Sequence, residues 1–180
     1  AEPYYRRALE ILEKTVGQEN LSFTQILTNL ASVCYFQGRR AEVEPLLRRA
    51  LTIREKTQGM EGTFTASYLN ILAAFYGSQG RYSEAEHLLK RALEIVEKKN
   101  GKEHPDTADS LYSLAGIYHS QGKYAEAERL YKQALEVREK RLGKEHSNTA
   151  DSLGALGALY VEQGRYAEAE PLCIRALNIK

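Results

Sequence analysis

Apolar positions along this 180-residue chain recur with helical spacing, in two alternating kinds of block. In residues 106–120, Leu111, Leu114, Ala115 and Tyr118 follow i, i+3, i+4, i+7, which puts them on one face of a helix. In the next block Ala127, Leu130, Tyr131, Ala134, Leu135 and Val137 make a wider stripe, while Glu126, Glu128, Arg129, Lys132 and Glu136 take the other side. Gln121-Gly122 lies between the blocks. A glycine in the left-handed conformation there ends the first helix and lets the second fold back as an αα-hairpin.

The hairpin recurs. Gln-Gly falls at Gly38, Gly80, Gly122 and Gly164, each 42 residues after the last, and each is followed by Arg or Lys. Behind each comes one segment: RRAEVEPLLRRAL, RYSEAEHLLKRAL, KYAEAERLYKQAL and RYAEAEPLCIRAL. The opening AEPYYRRAL is the tail of that segment. This period predicts an all-α chain, a single solenoid of antiparallel helix pairs with about nine helices. Its divisions are a second helix with its linker (1–21), three full repeats (22–63, 64–105 and 106–147) and a shortened fourth (148–180). A chain that opens in mid-repeat on Ala1 reads as a piece of a longer protein. Ala73, Ala85, Ala92, Ala115, Ala127 and Ala134 sit on the apolar faces, where a methyl lets helix backbones approach.

Leu111, Leu114, Ala115, Tyr118, Gly122, Tyr124, Ala127, Tyr131 and Ala134 resemble the small and large positions of the tetratricopeptide repeat. Cys34, Val43, Gly157 and Cys173 are local departures from that pattern. The period exceeds the usual ~34 residues, and the linkers IREKTQG, EKKNGKEHPDTA and REKRLGKEHSNTA look like the kinesin light chain branch. The resemblance covers the whole chain. It implies a right-handed superhelix whose first helices line a concave groove, and a protein or peptide ligand held there.

Composition narrows the partners. Twenty-five basic and 24 acidic residues leave a formal charge of +1, so no net field gathers nucleic acid or anionic lipid. No apolar run approaches the ~18 residues of a membrane span. Cys34 and Cys173, the two thiols, lie in apolar helical runs, as buried, reduced cysteines of a cytoplasmic protein would. Twelve tyrosines against four phenylalanines suggest rings with one end near water.

One stretch carries candidate chemistry. Residues 101–111 read GKEHPDTADSL and residues 143–153 read GKEHSNTADSL. His104, Asp106 and Asp109 could share a metal ion. Against this, the second copy has Asn148 for Asp106, the repeat before has Gly62 and Phe64 at the matching places, and no cysteine is near. The repeat phase makes the stretch a helix stop, a linker and a helix start. Asp106 and Asn148 are expected as N-caps, with Asp109 and Asp151 three residues on, and Ser22 with Gln25 as their counterpart. No H-E-x-x-H, G-x-x-x-x-G-K-[ST], G-x-S-x-G or C-x-x-C occurs, so no catalytic residue, metal or cofactor is expected. His87, among charged neighbours, reads as solvated.

The four first helices (22–36, 64–78, 106–120 and 148–162) contain no Lys or Arg; all 25 basic residues lie in second helices and linkers. The groove implied by the resemblance is therefore neutral to slightly acidic and suited to apolar or basic partners. Subtracting the core stripe leaves Asn29, Tyr35, Phe36, Asn70, Asp109, Tyr112, Ser113, His119 and Asp151 as its ligand-facing residues, with Thr28, Ile71, Gly154 and Glu162 among their neighbours. Asn29 and Asn70 stand singly where the kinesin light chain branch tends to pair asparagines. The competing expectation is a self-associating array, joined end to end through Tyr4, Tyr5, Leu9 and Leu12 at one end and Leu172, Leu177 and Ile179 at the other.

Overall fold

Gly80 shows how the chain turns. At φ 73° its N–H donates to the Gly77 carbonyl at 3.0 Å, and the Arg81 N–H donates to the Tyr76 carbonyl at 2.9 Å, a Schellman stop. The bond from the residue after glycine recurs at 2.9 Å from Arg39 to Cys34, Lys123 to Tyr118 and Arg165 to Tyr160. In a computed structural model describing residues 2–15 and 20–179, these stops separate the helices of each pair. The helices are α1 (Glu2–Thr15), α2 (Ser22–Phe36), α3 (Arg40–Gln58), α4 (Thr63–Ser78), α5 (Tyr82–Asn100), α6 (Pro105–Ser120), α7 (Tyr124–Arg141), α8 (Ser147–Glu162) and α9 (Tyr166–Ile179). Each packs on its neighbours in sequence, and α4 also meets α6 directly, so the first helices stand side by side along one face.

The linkers correct the expected caps. At Gly101 (φ 87°, ψ 166°) the backbone takes a conformation open in practice to glycine alone. The Thr107 hydroxyl donates to the Gly101 carbonyl at 2.8 Å; Thr149 does the same to Gly143 at 2.8 Å and Thr65 to Gly59 at 2.9 Å. With the linker pinned this way, α6 and α8 start one residue early and the histidine becomes the N-cap. His104 Nδ1 accepts the Asp106 N–H at 3.2 Å, and His146 Nδ1 accepts the Asn148 N–H at 3.1 Å. Asp106 and Asn148 are thus the capped residues and not the caps. At α2, Phe23 fills the column that holds Thr65, Thr107 and Thr149, and no Ser22–Gln25 box forms; Asn20 Oδ1 accepts the Ser22 N–H at 2.9 Å.

The core runs through every helix pair, with Phe23, Leu27, Leu30, Leu69, Leu72, Leu89, Leu153 and Leu159 fully buried. Each such side chain contributes ~1.5–3 kcal/mol. Ala73, Ala92, Ala115 and Ala134 are also sealed and set the close approach of the pairs. In the last pair Gly157 takes the alanine position, where an added Cβ would lie 2.6 Å from Cys173 Sγ. Cys34 is buried, whereas Cys173 is only half-buried because α9 is covered on fewer sides.

Ion pairs join one repeat to the next. Glu44, on α3, accepts from the Tyr76 hydroxyl at 2.9 Å and from Arg81 at 2.6 Å, and the Arg81 guanidinium lies 4.0 Å from the Tyr76 ring centroid. Glu128 holds Tyr160 at 2.9 Å and Arg165 at 2.6 Å in the same way. Glu86 holds Tyr118 at 3.2 Å and, at 3.5 Å, Lys123. Glu2 holds Arg39 at 2.7 Å where Cys34 has removed the tyrosine. A second row pairs Arg49 with Glu13, Arg91 with Glu55 and Arg175 with Glu139, at 2.5–2.7 Å. The Glu44 carboxyl is held down to about 2 by hydrogen bonds from Arg81 and then Arg48. Glu86 is held near the same value by Lys90, and Glu128 by Arg165 and then Lys132.

Candidate peptide-binding groove

Between α2 and α4 the face of first helices opens into a pocket of about 320 Å³. Its walls are Ala31, Ser32, Tyr35 and Phe36 from α2 and Ile71, Ala74, Phe75 and Ser78 from α4; Val43 and Leu47 of α3 contribute to the lining. No charged residue lines it. Phe36 is 86% exposed and Ile71 41% exposed, and Tyr35 stands edge-on to Phe36 at 5.9 Å. A large apolar side chain would find dispersion contacts here without displacing any charge.

Further along, polar groups replace apolar ones. Asp109 Oδ1 accepts from Arg138 Nη2 at 2.6 Å, and the same guanidinium reaches Ser152 Oγ at 2.7 Å, the Asn148 carbonyl at 2.9 Å and the Tyr112 ring at 4.6 Å. Arg138 comes from the second helix α7 and is 4% exposed. His119 meets Glu162 of α8 at 2.9 Å and stands edge-on to Tyr124 and Tyr131. Burial raises the Tyr131 hydroxyl well above the usual range.

Seven of the nine expected groove residues fall into two groups. Tyr35 and Phe36 meet at the first pocket, and Asp109, Tyr112, Ser113, His119 and Asp151 lie on the α6–α8 stretch. Asn29 bonds Gln25 at 3.0 Å, and Asn70 donates to Ser110 Oγ at 3.4 Å while its own oxygen is buried and unbonded. The Ser113 hydroxyl is turned back to the Asp109 carbonyl at 2.9 Å. Thr28 is buried instead of facing solvent, its hydroxyl bonded to the Thr24 and Gln25 carbonyls. Two features escaped sequence reasoning. Phe75, Val43 and Leu47 shape the pocket beside Ile71, and Arg138 crosses from the second helices to the face thought free of cations. The signal for Arg138 was its column: the positions at 42-residue steps are Leu12, Arg54, Val96 and Lys180, and a place shared with leucine and valine is a buried place.

Three of the four histidines are engaged structurally. His104 and His146 use Nδ1 as helix caps and His119 spans α6 and α8, while His87 is exposed. Among the described residues no group of three or more His, Cys, Asp or Glu is arranged to hold a metal ion, and no helix is long and apolar enough to cross a membrane. At the ends Leu9 and Leu12 pack against the core, as does Leu172, whereas Tyr4 and Leu177 remain 80% and 75% exposed.

Antiparallel helix pairs stacked at one period, with a groove along the first helices, define an α-solenoid repeat protein. Sequence profiles of the tetratricopeptide repeat match residues 24–59, 64–140 and 110–180, and the chain belongs to that family, as an array of the kinesin light chain type. No curated protein sequence matches it. Among solved structures it is similar to a putative kinesin light chain with nearly identical TPR-like repeats from Podosopora anserina, at 28% identity and TM-score 0.75, over 97% of this chain and 83% of that one. BtubC (BKLC) from P. vanneervenii superposes with TM-score 0.81 at 24% identity, over 99% and 71% of the two chains. A Rap protein complexed with competence and sporulation factor superposes with TM-score 0.81 at 22% identity, over 98% of this chain and 47% of its own.

Proposed function

We propose that this chain is a non-enzymatic protein-interaction scaffold that holds an extended peptide or partner helix along its first helices. The carrying observation is the uncharged pocket between α2 and α4, which keeps Phe36 and Ile71 exposed at its rim. The engagement of His104, His119 and His146 in caps and struts supports binding over catalysis. Two free cysteines fit a reducing compartment, the cytoplasm. Ile71→Asp puts a charge into the pocket at a half-open position, so the fold survives and binding suffers. A peptide selected on the wild-type chain is expected to lose tenfold or more in affinity for this variant, measured by calorimetry; unchanged affinity would refute the groove.

A second reading, self-association, is favoured by exposed Tyr4, Ile174 and Leu177 at the two ends. Light scattering over a concentration series decides it. A mass fixed at one chain dismisses it.

A further inference from the structure

We propose that the groove's ligand is a bipartite extended peptide: a large apolar side chain seated between α2 and α4 and, about six residues along, one or two Lys or Arg side chains over α6 and α8. This rests on the groove-binding reading above and adds the order, spacing and charge of what is bound.

The two halves of the groove differ in kind. Helices α2 and α4 contain no Asp, Glu, Lys or Arg, and the large apolar residues they expose at the pocket are Tyr35, Phe36 and Ile71, beside the small, uncharged Ser32, Ala74 and Ser78. On the α6–α8 stretch the carboxylates of Asp109 and Glu162 stand against one guanidinium, Arg138, whose side chain is nearly sealed. Arg138 takes one oxygen of Asp109, and His119 takes Glu162 at Oε2; both carboxylate side chains are still about half exposed. Charge there is net negative, and the cation that offsets part of it is turned inward. An acidic ligand would face like charge with no exposed first-helix cation to meet it. A Lys or Arg could lay its aliphatic stem over Gly154, Ala155 and the Tyr112 ring, with its head near these carboxylates.

Spacing follows from geometry. Neighbouring helix axes lie ~10 Å apart, so the α2–α4 seam and the α6–α8 seam are separated by two steps, ~20 Å. An extended chain covers ~3.3 Å per residue, which makes the interval about six residues.

Fluorescence polarisation of the whole chain with labelled synthetic peptides tests this. The probes are one Trp joined to Lys-Lys through a Gly/Ser spacer of about six residues, the same peptide ending in Glu-Glu, a half-length spacer, and Trp with the spacer alone. The Lys-Lys peptide is expected to bind about fivefold tighter than the Glu-Glu peptide, the yield of two partly exposed ion pairs. That advantage should shrink with the short spacer, in high salt, and in Glu162→Gln. Ile71→Asp should weaken the Lys-Lys and Glu-Glu peptides alike. Equal or reversed affinities that still fall in Ile71→Asp overturn the bipartite ligand and leave the groove standing. Peptides that bind nowhere, or bind without regard to Ile71, overturn both.

Discussion

His104 and His146 earn their place by one lone pair each. Nδ1 accepts the N–H of the second residue of the following helix, the work usually given to Ser, Asp or Asn. Removing such a cap costs ~1 kcal/mol. His104→Ala is therefore expected to lower the melting temperature by a few degrees, and His104→Asn, which restores an acceptor at the same place, to recover most of it. Circular dichroism melts check this; an alanine variant that melts with the wild type would remove the cap from the account. Arg138 shows a different kind of residue, one whose charge the sequence shows and whose direction it does not. A guanidinium on a second helix looks like part of a solvated face until its four partners, on α6 and α8, are in view.

At the scale of elements, the four first-helix spans read from the repeat phase differ from the observed bounds by at most one residue, at their starts. The phase suffices because Gln-Gly stops a helix by backbone conformation alone, with no help from distant residues. The wider groove was less legible. Tyr35 and Phe36 could be placed beside a pocket, but its lining needs Val43 and Leu47 of another helix, and their depth depends on how closely α2 and α3 approach. The Gly157–Cys173 exchange belongs here too. A small residue on α8 is matched by sulfur on α9, and the close approach of the two helices appears only when the facing positions are known together. The expected capping boxes failed for a similar reason, since a threonine hydroxyl six residues away shapes the linker.

Across the whole molecule the basic residues act chiefly as joints. Glu44, Glu86 and Glu128 titrate near 2 in the folded chain against an ordinary 4.5, so the native state binds fewer protons than the unfolded state through that interval. Their contribution is complete above the ordinary value and is lost as pH falls through it toward 2. The melting temperature is expected to hold from neutrality down to about pH 5 and then to drop. The triple Glu→Gln variant should melt lower at neutral pH and show a shallower acid decline, followed by calorimetry; parallel declines in the two proteins would show that the carboxylates joining repeats do not set acid stability. The same joints carry a consequence for how such a chain changes length. Glu44 meets Tyr76 and Arg81, while Glu86 meets Tyr118 and Lys123, nearly the same chemistry 42 residues on. An in-phase loss of one period would bring Glu44 to Tyr118 and Lys123 with a matching seam already made. Duplication or deletion in the gene can thus lengthen or shorten the groove in steps of ~10 Å, a ruler whose divisions are written in coding sequence.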